Sequence, residues 1–99
     1  MNTPKTLRVA TVQFQHKAND KAYNLAKIHQ FIDNAASQQV DVLVLPEMCI
    51  TGYWHVPQLP EHEVYALSER ISDSESLALI KQKAITHQMA IGVGLIERA

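Results

Sequence analysis

An almost unbroken apolar run at residues 40–45 (VDVLVL), closed by Pro46, constrains the fold of this chain more than any other segment. A short run rich in β-branched residues is typical of a strand that is buried on both faces of a layered sheet. Proline lacks the N–H that a sheet ladder needs, so we expect the strand to end there. The chain then needs a packed layer against each face of this strand.

The segments before this run predict a β-α-β unit. Residues 7–14 (LRVATVQF) are short, β-branched and flanked by polar residues, which indicates a first strand. A helix can begin at Asn19 or Asp20, which are good N-cap residues, and run to about Gln38. Such a crossover is nearly always right-handed, so we expect the two strands to be parallel, with their carboxyl ends at one edge of the sheet.

The segments after the run predict a loop, a second helix and a third strand. A proline-rich stretch indicates a long loop with a short helical turn near 61–67. Ser72 and Glu75 match a capping box, and apolar residues at helical spacing extend the helix to about His87. Residues 90–96 (AIGVGLI) then supply the third strand. The predicted fold class is α/β, with the order β-α-β-α-β.

Composition excludes several classes of protein. The chain has 46% hydrophobic and 19% charged residues over its 99 positions, which is typical of a globular protein. Nine basic and ten acidic residues leave a net charge of −1 without a basic stripe, so we expect no nucleic-acid partner. Cys49 is the only cysteine, and no run matches a signal peptide or membrane span. We therefore expect a cytoplasmic protein that does not bind membranes.

Glu47 directly follows the predicted central strand. In open α/β sheets, ligands bind just outside the carboxyl ends of the strands. Glu47 is therefore a candidate general base, and partial burial against Pro46, Met48 and Ile50 would suit that role. From position alone, an exposed glutamate at the start of a surface loop is the simpler interpretation.

Residues 43–53 (LVLPEMCITGY) resemble the first signature of the nitrilase superfamily, in which an aliphatic strand ends in Pro-Glu and a Gly-Tyr follows shortly after. The opening strand (RVATVQF), the passage from helix to strand (YNLAKIHQFIDNAASQQVDVLVLPE) and the last strand (AIGVGLIERA) are similar to the matching segments of that family. The resemblance covers essentially all of the chain. It identifies residues 1–99 as the N-terminal part of a carbon-nitrogen hydrolase domain that stops after the third strand.

The resemblance implies a four-layer αββα sandwich, of which the β-α-β-α-β order supplies one portion. It further implies an enzyme that cleaves non-peptide C–N bonds of amides or nitriles through a glutamate, a lysine and a cysteine. Glu47 is then the catalytic glutamate. The family's lysine and cysteine are expected past Ala99, so the 99 residues alone are expected to be inactive. No cofactor is implied, and the expected partners are a small-molecule amide or nitrile and, in the complete protein, further copies of the chain.

Two residues near Glu47 are further candidates. Cys49 could be a nucleophile, but it does not occupy the position of the family's cysteine, and a buried small hydrophobe is the preferred interpretation. Gly52 is expected to allow a sharp turn. Tyr53 is a candidate for substrate binding, although loop anchoring or an oligomer contact would explain an aromatic residue there equally well.

The histidines and helix lysines receive no catalytic role. His55 and His62 are separated by prolines in a loop and lack the spacing of a helical metal motif, so we predict no metal site. Lys81 and Lys83 are expected on the solvated face of the second helix.

The sequence leaves other functions open. A metal-dependent phosphoesterase of the DNase-I-like sandwich group also ends an early buried strand with a glutamate that holds a divalent cation. That group predicts an asparagine in the first strand and a glutamine before the glutamate, whereas this chain has Gln13 and Pro46. A nucleotide-binding unit is disfavoured because the turn after the first strand (QHKAND) lacks glycines. A non-catalytic interaction fragment is the third alternative.

Overall fold

Three parallel strands alternate with helices along the chain, as the apolar pattern predicts. The computed structural model describes residues 6–18, 20–47, 49–52 and 55–98. The strands are β1 (Val9–Thr11), β2 (Val42–Val44) and β3 (Ala90–Gly92), and the helices are α1 (Lys21–Ser37), α2 (Glu61–Leu67) and α3 (Glu75–His87), with 3₁₀ turns at Val56–Gln58 and Ile71–Asp73. The predicted β-α-β-α-β order is confirmed, and α2 is the short helical segment expected within the loop.

The apolar run that closes at Pro46 forms the central strand of the sheet. The strand order is β1-β2-β3, and both pairings are parallel. The regular ladder is shorter than the predicted strands, but single hydrogen bonds extend it on both sides of β2. The Val12 N–H donates to the Val44 oxygen at 3.0 Å, and the Leu45 N–H donates to the Gly92 oxygen at 2.8 Å. The central position gives β2 a hydrogen-bonded neighbour along both of its edges.

One face of the sheet carries the hydrophobic core. Leu43 of β2 is 1% exposed, and its register partners are Ala10 of β1 and Ile91 of β3. Helices α1 and α3 pack against this face through apolar side chains spaced at helical period. The buried core consists of Ile28, Ile32, Ala35, Val40, Leu43, Leu45, Cys49, Ile50, Ile80 and Met89.

The opposite face of the sheet is exposed. Side chains alternate between the two faces of a strand, so Val9 and Thr11 of β1 and Val44 of β2 lie away from the core. Val9 is 58% exposed and Val44 is 42% exposed. The strand β2 is therefore buried on one face, and not on both as the apolar run predicts. Within the described residues, the two long helices both join the core on the Leu43 side.

Side-chain caps begin both long helices. At the start of α1, the Asp20 carboxylate accepts a hydrogen bond from the Tyr23 N–H at 2.9 Å, as an N-cap should. At the start of α3, the Ser74 hydroxyl accepts one from the Leu77 N–H at 3.1 Å. The predicted capping box is wrong by two residues, because Ser72 lies inside a 3₁₀ turn and lacks the extended backbone that an N-cap requires. Among the described residues, none of the helices combines the length and apolarity needed to cross a bilayer.

An ion pair links α1 to α3. The Lys83 Nζ lies 2.9 Å from Oδ1 and 3.0 Å from Oδ2 of Asp33, and the His87 Nε2 lies 3.7 Å from the same Oδ1. The hydrogen bond from Lys83 lowers the pKa of Asp33. Because the Asp33 side chain is 57% exposed, this pair contributes little net stability. Lys81 is exposed as predicted, whereas Lys83 is partly buried and serves this contact.

The exposed sheet face predicts that residues 1–99, expressed alone, self-associate. Val9 and Val44 expose apolar surface on neighbouring strands, and contiguous exposed apolar surface favours association. Replacing Val9→Thr and Val44→Thr together keeps β propensity but removes apolar area, and each lost valine forfeits roughly 1 kcal/mol of burial. We expect the double variant to raise the dissociation constant for self-association by at least about tenfold, measured by light scattering over a concentration series.

Leu79→Gln provides the matched control, because Leu79 is 56% exposed on α3 rather than on the sheet. This control should associate like the unmodified chain. If association is unchanged in the double variant but lost in Leu79→Gln, the sheet face is not the surface through which the chain self-associates.

Candidate active site at the carboxyl edge of the sheet

Glu47 stands at the carboxyl end of the central strand. It lies in a turn three residues after Val44, the last residue of β2. The loops that follow β1 and β3 begin at the same edge, because all three strands are parallel. Glu47 is exposed, so the predicted partial burial is wrong. Of the three residues expected to shield Glu47, Ile50 is 0% exposed within the core, Pro46 is partly buried, and Met48 lies outside the residues that the structure describes.

A buried asparagine ties the loops of this edge together. Asn24, in the first turn of α1, is 0% exposed. Its Oδ1 accepts a hydrogen bond from the Lys17 N–H at 2.8 Å, and its Nδ2 donates to the backbone oxygens of Lys17 and Ile50, both at 2.9 Å. Lys17 belongs to the loop after β1, and Ile50 to the loop after β2. One amide side chain, which offers two N–H donors and one oxygen acceptor, thus fixes both loops to α1.

Cys49 is buried two residues away from Glu47. It is 0% exposed, and its Sγ donates to the backbone oxygen of Gly94 at 3.8 Å. Burial raises the pKa of the Cys49 thiol. The thiol is therefore protonated at neutral pH, and only a thiolate is a competent nucleophile. These properties agree with the interpretation of Cys49 as a small core residue.

Two histidine rings pack against Gly52 in the loop that carries Glu47. Gly52 has a φ of 88°, a conformation that residues with a Cβ rarely adopt. A Cβ at this position would lie 2.6 Å from Cδ2 of His16 and 3.1 Å from Cε1 of His55. His16 comes from the loop after β1, so side chains from two loops converge here. The prediction that Gly52 permits a sharp turn is confirmed, whereas the sequence carries no signal for its contact with His16.

Tyr53, the expected substrate-binding residue, lies outside the residues that the structure describes, as does Trp54. His62 is exposed on α2. No group of three or more His, Cys, Asp or Glu side chains in the described part of the chain is arranged to hold a metal ion.

Glu69 organises a second polar cluster, for which the sequence carries no signal. Its carboxylate accepts hydrogen bonds from the Ser74 hydroxyl at 2.7 Å and from the Lys21 ammonium at 3.2 Å. Burial alone would raise the pKa of Glu69, but these two contacts, together with a hydrogen bond from Ser76, outweigh burial and lower it. The Glu69 N–H donates to the Ile96 oxygen at 2.9 Å, and its oxygen accepts from the Arg98 N–H at 2.8 Å. Glu69 thereby holds the chain that follows β3 beside the start of α3.

A comparison with known protein families gives one match that spans almost the whole chain. The model of the family described as carbon-nitrogen hydrolase matches residues 8–99. The matched region includes all three strands, Glu47 and Gly52. No curated protein matches the chain.

The hydrogen bonds of Asn24 predict a large effect of Asn24→Ala on stability. The substitution leaves the buried backbone oxygen of Ile50 without a partner, at about 1–3 kcal/mol, and it also removes the two partly buried hydrogen bonds to Lys17, which contribute less because water can replace them. We expect a loss of roughly 2–4 kcal/mol in the free energy of unfolding, measured by urea denaturation of a monodisperse sample. Asn34→Ala is the control, because Asn34 is exposed on the same helix. Equal losses in both variants would refute this account of Asn24.

The burial of Cys49 predicts slow alkylation. Iodoacetamide should label the native protein at least about a hundredfold more slowly than the protein in denaturing guanidinium chloride, because reaction requires the thiol to become exposed and deprotonated. Ser37→Cys combined with Cys49→Ala supplies the reference rate of an exposed thiol, since Ser37 is exposed at the end of α1. Native labelling of Cys49 as fast as that reference would contradict the buried position.

Proposed function

The chain belongs to the carbon-nitrogen hydrolase family, and from that premise we propose that Glu47 is the general base of an enzyme that hydrolyses the C–N bond of small amides. The observation that carries the proposal is the position of Glu47. It is an exposed carboxylate in a turn at the carboxyl end of the central strand, inside the region that the family model matches. A general base must reach a proton on the nucleophile or substrate, and this edge of a parallel sheet is where ligands bind.

In the proposed mechanism, Glu47 takes the proton of a cysteine thiol, and the thiolate attacks the carbonyl carbon of the amide to form a C–S bond. A lysine stabilises the negative oxygen of the tetrahedral intermediate. The C–N bond then breaks, and Glu47 returns the proton to the departing ammonia or amine. Water, deprotonated by Glu47, hydrolyses the thioester and frees the thiol.

The nucleophile of this mechanism is a cysteine other than Cys49. A thiol that is 0% exposed and has a raised pKa can neither meet a substrate nor ionise readily. We therefore propose that residues 1–99 are the N-terminal part of a longer domain, and that the nucleophilic cysteine and the lysine lie outside them. Tyr53 is retained as a proposed substrate-binding residue because it follows Gly52 in the same loop.

We also propose that a second sheet completes a four-layer αββα sandwich against the open face of this one. What supports this proposal is the exposure of Val9 and Val44 on a face that is apolar in sequence. A covering layer would bring the strand β2 into the two-sided burial that its composition favours.

The proposed role of Glu47 predicts that Glu47→Gln, in the complete enzyme, lowers kcat for an amide substrate by about 10²–10⁴ without unfolding the protein. The change is nearly isosteric and removes only the ability to accept a proton. Ammonia release under saturating substrate measures kcat, and circular dichroism verifies the fold. Glu63→Gln is the control, because Glu63 is an exposed carboxylate on α2.

Turnover of Glu47→Gln within twofold of the unmodified enzyme would rule out the assigned role. The same enzyme should also keep its activity in EDTA. Loss of activity on chelation would instead favour the phosphoesterase-like alternative, in which the carboxylate holds a divalent cation.

A further inference from the structure

A single arginine fastens the short helix α2 to the segment that follows β3. The Arg98 guanidinium donates through Nε to the Ser68 hydroxyl at 3.0 Å, and through one terminal nitrogen to the backbone oxygens of Ser68 and Tyr65, both at 2.9 Å. It also lies over the Tyr65 ring, 4.1 Å from the ring centroid. Since α2 contributes no side chain to the buried core, these contacts at its C-terminal end are a main attachment of the helix.

The planar guanidinium allows one side chain to make all of these contacts together. Its N–H groups form a rigid fork, whereas a lysine ammonium is a compact charge that cannot reach three acceptors and an aromatic face at once. Ser68 is 7% exposed, so the groups that Arg98 binds have little access to water. A mostly buried carbonyl oxygen that loses its donor is costly. The contacts therefore favour one position of the end of α2 against residues 96–98.

The segment after β3 also contacts the loop that carries Glu47. The backbone oxygen of Gly94 accepts a hydrogen bond from the Cys49 thiol at 3.8 Å, and Cys49 lies two residues after Glu47. Further along the same segment, residues 96–98 pair with the backbone of Glu69. The chain between β2 and α3 is thus attached to one short segment near both of its ends, so a shift of that segment moves the turn that carries Glu47 as well as α2.

From this geometry we infer that Arg98 is a positioning residue for the proposed base Glu47. In this role Arg98 makes no contact with the substrate, and it acts by fixing the segment after β3, which contacts the Glu47 turn through Cys49. The inference rests on the proposed function, because it concerns an enzyme that uses Glu47 as its base. A displacement of about 1 Å in a reacting group can lower turnover by about 10². Release of the Arg98 contacts therefore affects the chemical step more than substrate binding.

The first test compares two arginine variants in the complete enzyme. Arg98→Ala should lower kcat for an amide substrate by about 10- to 100-fold and change KM by less than about threefold, because the base is displaced while the substrate contacts remain. Arg70→Ala is the matched control, since Arg70 is an exposed arginine two residues after Ser68. It should keep both constants. Equal losses in the two variants, or a change confined to KM, would overturn the inference.

A double-mutant cycle determines whether Arg98 acts through Glu47. If it does, Arg98→Ala should lower kcat by less than about twofold in a Glu47→Gln background, because a base that is already absent cannot be displaced. A purely structural role would lower kcat by the same factor in both backgrounds, and that result would refute the assignment. If circular dichroism shows that Arg98→Ala does not fold, Arg98→Lys replaces it in every test, since it keeps the charge but not the planar fork.

A labelling measurement separates this inference from the proposed function. Mass spectrometry follows iodoacetamide on the peptide that contains Cys49, which should react at least about tenfold faster in Arg98→Ala, because the contact of the thiol with the segment after β3 opens locally. Arg70→Ala should leave this rate unchanged. If Glu47→Gln does not lower turnover, the proposed function fails, and the labelling rate alone decides whether Arg98 positions this turn. If Glu47→Gln lowers turnover but Arg98→Ala leaves the labelling of Cys49 unchanged, the inference is overturned and the role of Glu47 stands.

Discussion

The three hydrogen bonds of the Asn24 side chain hold the functional edge of this chain together. A helix and two loops that are distant in sequence meet at one buried amide, which is 0% exposed and bonded to the backbone of Lys17 and Ile50. A buried polar group is costly unless all of its hydrogen bonds are made, so only one arrangement of the two loops satisfies this residue. The loop that carries Glu47 is anchored by a side chain of α1, which belongs to a rigid element rather than to another loop.

The same loop places two ionisable side chains in opposite environments, one exposed and one buried. Glu47 and Cys49 are two residues apart, yet the carboxylate is exposed and the thiol is 0% exposed. The packing of Ile50 and Cys49 into the core turns this part of the chain inward and leaves Glu47 at the surface. The proposed base therefore lies two residues before Cys49 and three before Ile50, and the burial of these two residues anchors the loop without enclosing Glu47.

Sequence patterns predicted the elements that depend on local periodicity and composition. The central strand, the long α1 with its Asp20 cap and the position of Glu47 all follow from apolar spacing and a proline. Such patterns do not predict which residues from distant segments come into contact, because those contacts form only in the folded chain. Nothing near Ser72 or Ser74 in sequence indicates which serine caps α3, since that depends on the 3₁₀ turn before it. The partners of Asn24 and the contact of His16 with Gly52 likewise arise only when the loops after β1 and β2 come together.

The segment after β3 is bonded to two different parts of the chain at closely spaced positions. The backbone oxygen of Gly94 accepts a hydrogen bond from the Cys49 thiol. The Ile96 oxygen and the Arg98 N–H form backbone hydrogen bonds with Glu69. Adding or deleting one residue between Gly94 and Arg98 would break one set of these bonds and turn every following side chain to the opposite side. Evolution can therefore vary residue types within this segment far more freely than its length, and related proteins should align there without gaps.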